Sequence, residues 1–76
     1  MTDIPSISFD RLIRAVEKLG FVKVRQRGSH IRFGHPDGRK ATVPDHGHRD
    51  VPKGLLFKIV RHDLEMSIDA FLEILK

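Results

Sequence analysis

The residues of this sequence most able to do chemistry lie in the stretch RGSHIRFGHPDGRK, at positions 27–40. It places His30 directly after Gly28 and Ser29 and among several arginines and lysines. Histidine exchanges protons near neutral pH, and cationic side chains stabilise negative charge that develops on a phosphate. Such a set could cleave RNA without a metal ion, with the histidine carrying one proton transfer. A second acid–base group is not evident from the spacing, and a lone histidine is also commonly structural.

The positive charge is concentrated in the middle of the chain. The formal net charge is +4 over 76 residues, but residues 21–61 alone contain ten lysines and arginines against three aspartates. Residues 62–76 contain one lysine against four acids, and residues 1–20 are balanced. A basic middle segment between neutral and acidic ends indicates a surface that binds a polyanion such as a nucleic acid. The alternative is a charge distribution that serves solubility alone.

Three helices are predicted from apolar periodicity and capping residues. Residues 9–19 have the apolar period of an amphipathic helix, with Ser8 as N-cap and Gly20 suited to the left-handed position after its end. Pro52 fits the first turn of a second helix, and Ser67 can cap a short C-terminal one.

From Phe21 onward the apolar period becomes two, which predicts three antiparallel strands joined by turns at positions 28–29 and 36–38. If the apolar set of each strand packs against the helices, the intervening side chains point outward together. The expected inward set is Val22, Val24, Ile31, Phe33, Ala41 and Val43. The expected outward set is Lys23, Arg25, His30, Arg32, Lys40 and Thr42. Five of these six carry or can carry positive charge and none is acidic, which favours a phosphate-binding face over a merely solvated one.

These elements predict an α+β domain spanning residues 1–76, with a three-stranded antiparallel sheet packed on helices. The absence of cysteine excludes disulfides and zinc–thiolate sites. No apolar run approaches the roughly 20 residues of a membrane span, and the start MTDIPSIS lacks a signal-peptide pattern, so we expect a cytoplasmic protein without membrane association. The modest core leaves open whether an oligomer or a partner protein adds stability.

Four motifs, taken in order, resemble the HicA toxin family. Gly20-Phe21 ends the first helix, and Gly28-Ser29-His30 opens the second strand. Val43-Pro44-Asp45-His46-Gly47 ends the third strand, and Pro52-Lys53-Gly54-Leu55-Leu56-Phe57-Lys58-Ile59 opens the next helix. The resemblance implies an α-β-β-β-α fold similar to double-stranded RNA-binding domains. It also implies a ribosome-independent ribonuclease that cleaves messenger RNA, arrests growth and is neutralised by a HicB-type antitoxin covering its active face.

The resemblance assigns catalysis to His30. Around it we expect RNA contacts from Lys23, Arg25, Arg27, Ser29, Arg32 and Lys40. His46 is a secondary candidate, as a second proton donor or a phosphate ligand. His46 and His48 could suggest a metal site, but alternating positions on a loop without cysteine suit a tetrahedral metal poorly, so we expect neither metal nor cofactor. The alternative function is a non-catalytic RNA- or DNA-binding module that uses the same basic face.

Three further residues are expected to serve the fold. His35 precedes Pro36 at a hairpin end and is expected to be structural or solvated. Gly28 is expected to form a turn, and Gly54 to allow close approach to a helix.

Overall fold

The computed structural model describes residues 4–76, which form a three-stranded sheet with helices on one side. In chain order the elements are α1 (Phe9–Lys18), β1 (Val22–Arg27), β2 (His30–Gly34), β3 (Lys40–Pro44), α2 (Lys53–Phe57), a π-helical segment (Lys58–Asp63) and α3 (Ile68–Ile74). Both strand pairs are antiparallel, and β2 lies between β1 and β3. The predicted α+β class and element order are confirmed.

Helix α1 begins and ends where its capping residues predict. The Ser8 hydroxyl accepts a hydrogen bond from the Arg11 amide at 3.2 Å, which satisfies one of the free N–H groups of the first turn. Gly20 follows the helix with a φ of +101°, the left-handed conformation that glycine adopts without a steric penalty. The Phe9 amide also donates to the Arg49 carbonyl at 3.0 Å. The start of α1 is therefore held against the loop that follows β3.

The core lies between the helices and the two strands β2 and β3. Ile31, Phe33, Ala41 and Val43 are all at most 5% exposed on the side of the sheet that faces the helices. Their packing partners are the fully buried helical residues Leu12, Val16, Leu56, Ile59, Val60 and Phe71. The inward alternation predicted for β2 and β3 is confirmed.

Strand β1 departs from the predicted alternation. Val22 and Val24, expected inward, are 62% and 63% exposed. Lys23, expected outward, lies opposite Phe33 in the ladder and therefore on the helix-facing side. A β-bulge between Lys23 and Arg25 adds one residue, so Arg25 returns to the outward side. No helix covers this edge strand, and all six of its residues are exposed, so burial does not fix its register.

The second helix continues into a π-helical turn rather than remaining α-helical. The Leu64 amide donates to the Ile59 carbonyl at 2.8 Å, which closes a five-residue turn. The prediction that Gly54 allows a close approach to a helix is wrong, because a Cβ added at this position would meet no atom within 4 Å. The Ser67 hydroxyl caps α3 as predicted, accepting from the Ala70 amide at 3.1 Å. Within residues 4–76 no helix has the length and apolar character needed to cross a membrane.

Candidate functional site

The β1–β2 hairpin places His30 at its turn. His30 lies opposite Arg27, and only Gly28 and Ser29 separate the two residues. Gly28 has a φ of +58°, whereas Ser29 has no positive φ, which is the pattern of a type II′ turn. The Ser29 carbonyl accepts from the Asp45 amide at 2.7 Å, which ties the turn to the end of β3. The turn glycine predicted at position 28 is confirmed.

A groove of about 250 Å³ surrounds His30 on the face of the sheet that the helices leave uncovered, and we call it the His30 groove. Ladder pairing brings Arg25 opposite Arg32, and Thr42 opposite Arg32 from the other side. The residues lining the groove are Arg25, Arg27, His30, Arg32 and Thr42. The groove thus brings together four of the seven residues predicted for catalysis and RNA contact, namely Arg25, Arg27, His30 and Arg32.

The cations of the groove are not neutralised by the protein. Within residues 4–76, the side chains of Arg25, Arg27, His30 and Arg32 have no ion-pair or hydrogen-bond partner, and no acid lines the groove. Three guanidinium groups around one imidazole repel one another and attract anions. Guanidinium groups also match phosphate oxygens in geometry, forming two parallel hydrogen bonds. The groove is therefore suited to a phosphodiester.

The remaining predicted contacts lie outside this groove. Lys40 lies opposite Gly34 on the same face and lines an adjoining pocket with Arg25 and Arg32. Ser29 is half-buried in the turn, beside His30 in sequence. Lys23 lies on the helix-facing side, where its ammonium donates to the Gln26 side-chain oxygen at 3.3 Å. The alternation that suggested Lys23 as an RNA contact is therefore wrong at that position.

Neither His46 nor His48 lines the groove, because His46 packs against α1 and the exposed His48 contacts Asp10 of that helix. The His46 ring meets the Phe9 ring edge-on, with centroids 5.0 Å apart. His48 Nδ1 lies 3.2 Å from a carboxylate oxygen of Asp10. His46 is not among the residues that line the His30 groove. No set of three potential metal ligands comes together anywhere in the described part of the chain.

His35 is structural, as predicted. Its Nε2 lies 3.1 Å from the Leu19 carbonyl oxygen, and its Nδ1 accepts from the Asp37 amide at 3.1 Å. The Nδ1 atom also lies 3.0 Å from the Oδ1 atom of Asp37. The ring also meets Phe21 edge-on at 4.9 Å between centroids. His35 thus fastens the β2–β3 turn to the end of α1.

Arg39 is one of the ten central cations, but the fold uses it internally. Its Nε donates to Asp37 Oδ2 at 2.7 Å, its Nη1 donates to the Leu64 carbonyl at 2.6 Å, and its guanidinium lies over the Phe21 ring. A hydrogen bond from the Arg39 amide is the main cause that lowers the pKa of Asp37, with smaller contributions from the Arg39 side chain and His35. Sequence charge therefore overstates the cations available to a ligand.

A second cationic pocket, of about 260 Å³, lies between α1 and the C-terminal residues. Its lining contains Arg11, Arg14, Lys18 and Lys76 together with Ala15, Ile74 and Leu75. The Lys18 ammonium donates to the Ile74 carbonyl at 3.3 Å, so part of this charge caps α3. This pocket contains no histidine, whereas the His30 groove combines positive charge with an acid–base group.

Comparison with known proteins identifies the family to which the chain belongs. A search of curated proteins finds no match. A family model described as the HicA toxin of bacterial toxin–antitoxin systems matches residues 9–64. The match runs from the start of α1 to the end of the π-helical segment and includes the whole His30 groove. The chain therefore belongs to the HicA toxin family, the toxin component of bacterial toxin–antitoxin systems.

Proposed function

We propose that this toxin is a metal-independent endoribonuclease that cleaves messenger RNA in the His30 groove. One observation carries the proposal: an exposed histidine stands on an uncovered sheet face among three arginines that have no side-chain partner within residues 4–76. The groove offers cations for the phosphate and one group able to transfer a proton. Its lining contains no carboxylate, whereas nucleases that use two metal ions hold them with carboxylates.

His30 carries one of the two proton transfers that RNA cleavage requires. In the forward reaction the 2′-hydroxyl loses its proton and attacks the adjacent phosphorus, and the 5′-oxygen leaves with a proton. His30 either accepts the first proton or donates the second. The other transfer belongs to water or to a group outside the groove, for which His46 remains a candidate.

The three arginines stabilise the phosphate rather than move protons, because guanidinium groups remain charged in proteins. Arg27 lies opposite His30 and so faces the same phosphodiester, where it stabilises the added negative charge of the phosphorane. Arg25 and Arg32 lie two ladder positions further from the turn and hold the neighbouring phosphate. Ser29 and Lys40 extend the contacts at either end of the groove.

The alternative function is an RNA- or DNA-binding module that uses the same face without cleaving. Incubating a long messenger RNA with the purified chain in excess EDTA separates the two functions. The proposal predicts discrete fragments under these conditions. Intact RNA that migrates as a complex in a native gel would instead favour the binding module.

We further propose that a HicB-type antitoxin neutralises the toxin by covering the His30 groove. An uncovered cationic face would be complemented by an acidic surface on the antitoxin. Antitoxin and RNA should then compete, so a labelled, uncleavable RNA should be released as antitoxin is added. A ternary complex in which RNA stays bound would contradict this mode of neutralisation.

A further inference from the structure

The His30 groove has a neighbour on the same face of the sheet. This depression, which we call the Val24 pocket, has a volume of about 200 Å³. Its lining residues are Val24, Arg25, Arg32, Phe33, Gly34 and Lys40. Arg25 and Arg32 belong to both the pocket and the groove, so they form a common wall between them. Two depressions that share a wall can hold adjacent parts of one ligand.

The Val24 pocket differs from the groove because one wall is apolar. Val24 is 63% exposed although it is a large aliphatic residue, and exposed side chains of this kind are few in the described part of the chain. A single exposed valine needs no explanation by itself. Here, however, it stands beside two guanidinium groups, so the pocket combines an aliphatic surface with planar cations.

Gly34 keeps this pocket open. A Cβ at this position would lie 3.2 Å from Val24 Cγ2, which is tighter than normal packing. The φ of Gly34 is not positive, so the backbone does not require glycine here. The consequence of glycine at position 34 is therefore space beside Val24, with Lys40 opposite it in the ladder.

We infer that the Val24 pocket is a nucleobase subsite. It takes one unpaired base of the RNA whose adjacent phosphodiester lies at His30, and in this respect it rests on the proposed function. A guanidinium plane of arginine stacks on one face of a base, and an aliphatic side chain covers the other face of that base. Lys40 contacts the phosphate that follows. Because a paired base must first be unpaired and unstacked to enter, the subsite makes the toxin prefer single-stranded RNA.

Binding of uncleavable oligomers tests this inference independently of catalysis. The probes are a short 2′-O-methyl oligoadenylate and an abasic ribose-phosphate oligomer with the same number of phosphates. Both present the same charge to Arg25 and Arg32, and only one presents bases. Fluorescence anisotropy gives the two dissociation constants. Stacking of one base predicts that the wild type prefers the oligoadenylate by roughly 5- to 150-fold.

Three variants locate the preference within the molecule. Gly34→Val fills the pocket and should bring the ratio of the two dissociation constants close to one. Its affinity for the abasic oligomer should stay unchanged. Val24→Ala removes the aliphatic wall and should reduce the preference several-fold. Val22→Ala is the matched control, because Val22 is equally exposed on β1 but does not line the pocket. If Gly34→Val fails to fold, the comparison of Val24→Ala with Val22→Ala still decides.

The outcomes separate the subsite from the nuclease. Equal affinity of the wild type for both oligomers would overturn the subsite, even if the toxin cleaves RNA. A preference that survives both Gly34→Val and Val24→Ala would also overturn it, since the base would then bind elsewhere. A preference that depends on Val24, in a protein that leaves messenger RNA intact, would support the subsite and refute the nuclease.

Discussion

Arg27 and His30 lie directly opposite each other in the β1–β2 ladder, separated along the chain by two turn residues. Opposed residues in an antiparallel pair point to the same side of the sheet, so a permanent cation stands beside the imidazole. The type II′ turn sets the pairing of these two residues. A hydrogen bond from the Asp45 amide to the Ser29 carbonyl anchors the turn to the end of β3. The hairpin turn and its hydrogen bond to β3 therefore position the proposed catalytic histidine beside Arg27.

Removing one groove cation should weaken RNA binding. Arg32→Gln takes away a guanidinium that lines both the groove and the Val24 pocket. We expect affinity for uncleavable single-stranded RNA to fall by about tenfold, the effect of losing one charged hydrogen bond. The slope of log affinity against log salt should become shallower by about 0.7. Arg14→Gln in the second cationic pocket is the matched control, and an equal loss there would refute a site confined to the groove.

Removing Lys23 should reduce RNA affinity much less than removing Arg25, although only two positions along the chain separate these residues. The bulge puts Arg25 on the uncovered face and Lys23 on the helix-facing side. Lys23→Gln should therefore leave RNA affinity within about twofold of wild type, the scale of a distant, screened charge. Filter binding of both variants at one salt concentration checks this. Equal losses in the two variants would mean that RNA wraps around the β1 edge.

The exposure of β1 predicts a contrast between two chemically identical substitutions. Val43 is 0% exposed and Val24 is 63% exposed. Val43→Thr buries a hydroxyl in the core and should lower the free energy of unfolding by about 1–3 kcal/mol. Val24→Thr should change it by less than about 0.5 kcal/mol, because its hydroxyl stays in water. Urea denaturation measures both, and a comparable loss in Val24→Thr would show that β1 packs inward after all.

The lowered pKa of the Asp37 carboxyl predicts acid-dependent stability. A carboxyl whose pKa is lower when folded contributes stability above its unfolded value of about 3.9, and this contribution disappears as pH falls through the folded value. Asp37→Asn should therefore have a lower melting temperature than wild type at neutral pH. Below about pH 4 the two melting temperatures should move closer together. Asp50→Asn removes an exposed carboxylate from another loop as the control. A deficit of the Asp37 variant that persists unchanged in acid would contradict the role of its charge.

The side-chain orientation of strands with one buried face could be predicted from the sequence. Burial selects one register for β2 and β3, so Ile31 and Phe33 lie inward as their alternation indicates. β1 has no such constraint, and its alternating Val22 and Val24 suggested a packed face that does not exist. The π-helical turn was equally hidden, because the apolar pattern of α2 fits an α-helical continuation as well.

The site was predictable where it depends on the central strand. His30 and Arg32 lie outward because their neighbours in β2 are buried. Arg25 is also outward, but only because a bulge that the sequence did not indicate compensates for the reversed alternation. Arg39 could not be separated from the groove cations by sequence, since its partner carbonyl at Leu64 lies 25 positions away. The contribution of Gly34 and Val24 required the two strands to be paired first.

Single-turnover cleavage of messenger RNA by His30→Ala tests the central claim most directly. The assay compares wild type, His30→Ala and His48→Ala in EDTA, with folding checked by circular dichroism and RNA affinity by anisotropy. His48 is the control because its side chain is fully exposed and lies away from the groove. We predict that His30→Ala loses at least about 100-fold in rate, as expected for an acid–base group, while it keeps its fold and its RNA affinity. Cleavage by a folded His30→Ala protein at the wild-type rate would contradict the claim that this histidine cleaves RNA.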